Sequence, residues 1–139
     1  IMINELSVAI YNKFTATSGD PALHNAFHIA LAGRLYRMTA PQNCVEPYAI
    51  YSIVDTVPEY PGGKILEHVR VNFSIFTSDI SPAASELLYD KLTAVYDWCT
   101  LSISGSILIY MNRILYVPVI EPSDNTIGCR VDYELMVDD

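Results

Sequence analysis

The sequence predicts an α+β fold, in which two main helices pack on one face of a largely antiparallel β-sheet. Three observations lead to this prediction. Two segments repeat apolar residues at helical spacing, other segments alternate apolar with polar residues as strands do, and these elements follow one another as helix, strands, helix and strands. Because the strands have one apolar face, we expect the helices to cover that face.

The length of the chain predicts a single domain over residues 1–139, because a chain of this size can bury a core of its own. Apolar residues make up 51% of the sequence and charged residues 17%, which excludes wholesale disorder. Three cysteines cannot all pair within one chain, so we expect reduced thiols at Cys44, Cys99 and Cys129. The most apolar stretch, 106–120, is interrupted by polar residues and a proline, so we expect a cytoplasmic product without a membrane span.

The chain is acidic, with 16 acidic side chains against 8 lysines and arginines and a formal net charge of −8. Such a surface repels phosphate groups, which argues against nucleic acid as a tightly bound ligand but not as a passing cargo. The ten tyrosines combine an apolar ring with a polar tip, a property that suits both packed strands and subunit interfaces.

Apolar residues at every fourth position predict a first amphipathic helix from Ile3 to Thr17, ended by Gly19. This stripe consists of Leu6, Ile10 and Phe14. A short second helical turn is predicted to follow, capped by Asp20 and reaching Phe27 and Ala30.

The next segments predict strands separated by breakers. Gly33–Ala40 is interpreted as a short strand, and Tyr48–Val54 as a strand because it is rich in aromatic and β-branched residues. The segment Asp55–Lys64 is predicted to be a loop because of its turn-forming residues. These are Pro58, Pro61, Gly62 and Gly63.

A strand with one apolar face is predicted next, followed by a second helix. The apolar members of the strand are Val69, Val71, Phe73 and Ile75. Ser81 and Pro82 form a strong helix start, and the helix is predicted to run to about Trp98. Its apolar stripe consists of Leu88, Leu92, Val95 and Cys99, with Ala84, Leu87 and Trp98 beside it.

The last part of the chain predicts strands again. Ser106–Val119 is interpreted as one long or two short strands, and Ile127–Val137 has the clearest period-two pattern of the chain. If this last strand neighbours the one that contains Arg70, that arginine is expected to face Asp132 or Glu134.

The candidate metal ligands and nucleophiles do not form a catalytic arrangement. His24 and His28 have the spacing of metal-binding helices, but Asn25 stands where a zinc hydrolase needs its glutamate base, and no third ligand is evident. Cys44 is the one plausible reactive thiol, without a basic neighbour to activate it. His68 alternates with polar residues on a strand and is interpreted as an exposed histidine.

The glycine-containing segment Pro61–Lys64 is also interpreted as structural. Ile65 and a strand follow it, where a phosphate-binding loop would continue with Ser or Thr and a helix. A serine-rich run, 102–106, precedes a strand and so is not a nucleophile elbow. We predict no catalytic residue, no metal site, no cofactor and no enzymatic activity.

Four stretches carry a resemblance to a known family. They are the helix Leu6–Phe14, the run Gly33–Tyr51 with its segments GRLY, APQ and PYAIY, the strand Glu67–Phe76 that leads into the second helix, and the closing strand Arg130–Leu135. In this order the chain resembles the phage tail completion family, the tail terminator or head–tail joining proteins of long-tailed bacteriophages. The acidic segment Glu121–Asn125 departs from the family's pattern, and an ordinary turn is expected there.

The resemblance implies a structural virion protein of the tail or neck, assembled in the host cytoplasm. Such proteins form a ring, commonly of six copies, on the last ring of tail tube protein, stop tube growth and offer a surface to the head connector or stopper protein. DNA is then only a cargo that passes through the lumen.

Two physical consequences follow from a ring. Its closure needs a heterologous interface, in which two different patches of each subunit meet. Carboxylates that line the lumen would keep DNA from adhering, and only charges within about 8 Å count at physiological salt.

A possible contact with a neighbouring subunit or with the tube is the predicted loop tip, because such a loop can become ordered against a partner. Its residues are Glu59, Tyr60, Pro61, Gly62, Gly63 and Lys64. A plain solvent loop is the alternative.

Two other functions stay open at this point. Another neck component, such as a stopper or head-completion protein, or a tube subunit would share the size, the acidity and the lack of catalytic motifs. A small cytoplasmic enzyme or ligand-binding domain would instead use Cys44, or His24 and His28.

Overall fold

The computed structural model describes residues 3–15, 25–77, 82–121 and 126–139. Its elements, in chain order, are helix α1 (Ile3–Thr15), helix α2 (Ala26–Leu31), strand β1 (Leu35–Arg37), strand β2 (Tyr48–Glu59), a 3₁₀ turn (Pro61–Gly63), strand β3 (Leu66–Thr77), helix α3 (Pro82–Tyr96), strand β4 (Ile107–Glu121) and strand β5 (Thr126–Asp138). The α+β prediction is confirmed.

The five strands form one sheet in the order β1-β2-β3-β5-β4. All neighbouring pairs are antiparallel except the short pair of β1 and β2, which is parallel. Strand β5 therefore inserts between β3 and β4, and β1 and β4 form the two edges of the sheet. The largely antiparallel character was predicted; this order could not be read from periodicity.

The core lies between the helices and one face of the sheet. The strand side chains that form it alternate as predicted, and all of them are buried: Val69, Val71, Phe73, Ile75, Cys129, Val131, Tyr133, Leu135 and Val137. From α1, the predicted stripe of Leu6, Ile10 and Phe14 is completely buried against them. Burial of this apolar surface is the main source of the fold's stability.

Two buried tyrosines fasten α1 to its neighbours. The Tyr51 hydroxyl donates a hydrogen bond to the Ser7 carbonyl oxygen at 3.1 Å, and the Tyr96 hydroxyl donates one to the Ile10 carbonyl oxygen at 2.9 Å. Each ring thus packs in the core while its polar tip is satisfied by the helix backbone.

The predicted loop over Asp55–Lys64 is wrong in its first half. Strand β2 continues to Glu59 and pairs with β3 throughout, with a register shift at Val54. Strand β1 flanks β2 only at residues 49–51, so Pro58 lies where β2 has a single sheet neighbour. A proline is tolerated there because its missing N–H is not needed by a second strand.

The second predicted helix is too long at its end. Helix α3 ends at Tyr96, and Trp98 adopts a left-handed backbone with φ 52°. Trp98 is exposed and Cys99 lies beyond the helix, so neither extends the stripe, and Leu87 is also exposed. The left-handed residue reverses the chain direction and ends the helix.

The short helical turn is present but begins differently. Asn25 caps α2, its side-chain oxygen accepting a hydrogen bond from the His28 N–H at 2.8 Å. The cap predicted at Asp20 lies outside the described residues, as do Thr17, Gly19 and Ser81. Strand β4 is one long strand with two register shifts. None of the described helices is long and apolar enough to cross a membrane.

Candidate interaction surfaces

The predicted contact loop forms the tip of the hairpin between β2 and β3. Glu59 ends β2, Tyr60 is 70% exposed, and Pro61–Gly63 make a single 3₁₀ turn closed by a hydrogen bond from the Lys64 N–H to the Pro61 carbonyl oxygen at 3.1 Å. Gly62 and Gly63 have φ values of 59° and 85°, which favour glycine. The tip therefore projects a tyrosine from a tight turn.

The sheet face opposite the helices, here called the open face, carries paired charges. Arg70 lies opposite Glu134 in the register, as the sequence predicted, but its guanidinium donates to Asp55 on the other neighbouring strand, with an Nε–Oδ1 distance of 3.1 Å. Asp132 is 5% exposed and accepts hydrogen bonds from Asn72 at 2.9 Å and from Arg130 at 3.1 Å. These donors compensate for the loss of water around the Asp132 carboxylate.

His68 lies between two carboxylates on the open face. Its Nε2 is 3.1 Å from a Glu59 oxygen and its Nδ1 is 3.4 Å from a Glu134 oxygen. The hydrogen bond to Glu59 is the main cause of a raised His68 pKa, and Glu134 adds to it. When the imidazole is protonated, each ring nitrogen can donate to one of these carboxylates.

An NMR titration of His68 is expected to give a pKa above the ordinary value of about 6.5. Because folding raises this pKa, His68 adds stability that is complete below about pH 6.5 and is lost as the pH rises through the raised value. Glu59→Gln should lower the pKa more than Glu134→Gln does. A titration at or below the ordinary value would contradict this prediction.

A groove of about 450 Å³ lies on the open face. It is lined by Asp55, Val57, His68, Arg70, Ile114 and Glu134. Its arginine is paired with Asp55, and its histidine with Glu59 and Glu134, so its ionic groups satisfy one another.

A second polar cluster, on the helix side of the sheet, was not anticipated from the sequence. Asp97 accepts a hydrogen bond from the Tyr133 hydroxyl at 2.6 Å and pairs with Arg113 at 2.9 Å, and Arg113 also donates to the Tyr89 hydroxyl. Burial, reinforced by Asp97, raises the Tyr133 pKa. The one sequence signal for this cluster is the alternation along β5, which turns Tyr133 toward the helices. The cluster joins the end of α3 to the sheet.

The other candidate residues that the structure describes are His28, Cys44, Cys99 and Cys129. The His28 ring packs on the Phe14 ring with a centroid distance of 4.7 Å, while His24 lies outside the described residues. Burial raises the pKa of Cys99 and of Cys129 to about 11, so these thiols are protonated at neutral pH. Cys44 is half-buried and contacts the Val45 carbonyl oxygen at 3.7 Å. Across the described ranges, no cluster of three His, Cys, Asp or Glu side chains is placed to hold a metal ion.

Comparison with known proteins extends the description of the fold. No protein-family profile matches the chain, and no curated protein matches it significantly in sequence. Among solved structures, the chain is similar to a chain in the virion of a native gene transfer agent particle, with a TM-score of 0.80, 12% sequence identity and coverage of 96% of this chain and 95% of that one. The two chains therefore share a fold over nearly their whole length.

Proposed function

We propose that this chain is a structural virion protein, which caps a bacteriophage tail tube as an oligomeric ring and joins the tail to the head connector. The observation that carries the proposal is the likeness in fold, over 96% of this chain, to a chain of the gene transfer agent virion. The order of the four stretches that resemble the tail completion family supports the more specific position at the end of the tail.

The shape of the chain fits a protein that works through its surfaces. The Arg70–Asp55 and His68–Glu59 pairs hold charged groups of the open face together, and large apolar side chains are exposed at the hairpin tip and along β4. Exposed apolar groups of this kind are typical of contact surfaces between proteins.

The hairpin tip of Glu59–Lys64 is proposed to contact the tube or the next subunit. Tyr60 is 70% exposed, and tyrosine is among the residues that dominate binding energy at interfaces. The 3₁₀ turn at Pro61–Gly63 directly follows Tyr60, and such a loop tip can become ordered against a partner.

The proposal for the lumen concerns carboxylates that are not already paired with arginine. On the open face Asp55 and Asp132 have such partners, so these two carboxylates are not candidates. Glu86 and Asp90 are exposed on α3 and are better placed to repel DNA if that helix faces the channel.

The test uses purified chain and tail tubes that lack their terminator, observed by negative-stain microscopy and native mass measurement. We expect rings, of about six copies, at one end of each tube. Tyr60→Ala should weaken this binding at least about fivefold, as for an interface residue worth about 1 kcal/mol. Ile29→Ala, which removes a similarly exposed side chain from α2, is the control and should bind normally.

The same experiment separates the neighbouring functions. A tube subunit should polymerise alone, and a stopper should bind the head connector but not bare tube ends. A chain that never binds tube ends at any concentration would refute the terminator function.

A further inference from the structure

The turn after α3 exposes the only tryptophan of the chain. Trp98 is 70% exposed, although tryptophan is a large apolar side chain. Its φ of 52° lies in the left-handed region, where the end of a helix usually has glycine or asparagine. The backbone N–H of Trp98 donates a hydrogen bond to the Met111 carbonyl oxygen at 2.8 Å, which ties this residue to β4. A side chain kept in a costly conformation and presented to solvent suggests a binding role.

Trp98 is accompanied by exposed apolar residues of β4. Its ring lies 6.3 Å from the Tyr110 ring, centroid to centroid. Two isoleucines near the start of the same strand are half exposed or more: Ile107 and Ile109. We call Trp98, Tyr110, Ile107 and Ile109 the Trp98 patch. Since β4 is an edge strand, the patch lies at one edge of the sheet.

The opposite edge of the sheet carries a groove between α1 and β1. It has a volume of about 350 Å³ and is lined by Val8, Tyr11, Leu35, Tyr36, Arg37 and Tyr51. Val8 and Tyr11 are partly exposed on α1, whereas Leu35 and Tyr51 are buried beneath them. This α1–β1 groove is therefore apolar and aromatic, with one guanidinium at its wall.

The patch and the groove complement each other chemically. An indole is apolar enough to enter the groove, and Arg37 can lie against its face in a cation–π contact. The charges beside them are also opposite. Asp138 pairs with Ile107 in the sheet register beside Asp139, with Lys64 3.9 Å from the Asp138 carboxylate. Arg37 lines the groove and donates a hydrogen bond to Asn4 at 2.8 Å. The two surfaces differ from each other and lie at opposite sheet edges, as a heterologous interface requires.

We infer that the Trp98 patch of one copy of this chain binds in the α1–β1 groove of the next copy. This inference rests on the proposed function, for which it supplies the contact between neighbouring subunits. Each copy thus uses its Trp98 patch, at the edge formed by β4, to bind one neighbour, and its α1–β1 groove, at the edge formed by β1, to bind the other.

Two variants test the two sides of the contact separately. Trp98→Ala removes the indole side chain. Val8→Asp places a carboxylate in the α1–β1 groove, where it opposes burial of the indole and competes with it for Arg37. Both positions are exposed, so the fold should persist, as circular dichroism will check. Each variant should weaken self-association at least about thirtyfold, the effect of a central interface residue. Leu87→Ala, an equally apolar exposed position on α3, is the control and should associate normally.

A mixture of the two variants distinguishes a head-to-tail contact from a symmetric one. The Val8→Asp copy keeps its tryptophan and the Trp98→Ala copy keeps its groove, so together they should form a one-to-one dimer, measured by sedimentation and native mass, that cannot close into a ring. Failure of the mixture to form this dimer, at concentrations at which the wild-type chain associates, overturns the inference.

Other outcomes separate the inference from the proposed function. If both variants still form the rings that the wild-type chain forms, the inference is overturned and the tube-capping function stands. If both variants lose self-association and the wild-type chain does not bind tube ends, the inference is supported and the capping function is refuted. A wild-type chain that stays monomeric both alone and on tubes overturns the inference.

Discussion

Gly128→Ala is expected to destabilise the fold by more than about 3 kcal/mol, beyond the usual range for overpacking. A Cβ atom added at Gly128 would lie 2.0 Å from the Ile75 carbonyl oxygen and 3.2 Å from its carbonyl carbon. These are backbone atoms of β3, so no side-chain rotation can relieve the overlap. Strand β5 is hydrogen-bonded on both sides, with Gly128 opposite Phe76 and Val119, and it cannot move away without breaking a ladder.

Gly62→Ala is the matched control for this prediction. Gly62 also has a backbone that favours glycine, with φ 59°, but nothing lies within 4 Å of an added Cβ atom. Its cost is that of a left-handed alanine, about 1–2 kcal/mol. Urea unfolding followed by far-UV circular dichroism compares the two variants. A Gly128→Ala protein no less stable than Gly62→Ala would contradict the close approach of β5 to β3.

Phe73→Ala is expected to lower the free energy of unfolding by about 3–5 kcal/mol. Phe73 is completely buried in the middle of the sheet. Its ring centroid lies 4.7 Å from that of Tyr96, 5.8 Å from that of Tyr133 and 6.2 Å from that of Tyr51. Truncation would leave a cavity among three rings. The hydroxyls of these rings are bound to Ile10, Asp97 and Ser7, which limits their collapse into it.

Phe76→Ala in the same strand provides the control for Phe73→Ala. Phe76 points to the open face, is only partly buried and stacks on Tyr48 with a centroid distance of 5.1 Å. Its loss should cost about 1–2 kcal/mol. The difference between the urea midpoints of the two variants measures how much more the helix-covered face of the sheet contributes to stability than the open face does. Equal losses would show that the core is not where this structure places it.

Local patterns anticipated the elements whose faces differ sharply. The alternation along β3 and β5 and the four-residue spacing in α1 predicted which side chains are buried, and the structure confirms them. Such predictions succeed because the period of a helix or strand follows from backbone geometry alone.

Prolines and glycines predicted the ends of strands less reliably. Pro58 was interpreted as part of a loop, but it lies within β2 at a point where the strand has one sheet neighbour. Whether a proline ends a strand depends on the number of its neighbours, and that number is a property of the assembled sheet.

The candidate surfaces could be predicted only in part. The hairpin tip at Glu59–Lys64 was located from Pro61 and the two glycines, and its role as a contact remains a proposal. Trp98 was assigned to the side of a helix, and nothing in its spacing indicates that the helix ends at Tyr96 and exposes the indole. Just beyond this helix end, the Trp98 backbone N–H donates a hydrogen bond to the Met111 carbonyl oxygen of β4, a contact between elements that are separate in the sequence.

The sequence by itself determined the α+β class, the buried face of each long element and the acidic character of the chain, because periodicity and composition are local properties. Only the tertiary structure decided that β5 lies between β3 and β4, that Arg70 pairs with Asp55, and that the Trp98 patch and the α1–β1 groove occupy opposite edges. These outcomes depend on which strands pair across long separations in sequence. That choice is made by the packing of the whole sheet against its helices, and no single segment encodes it.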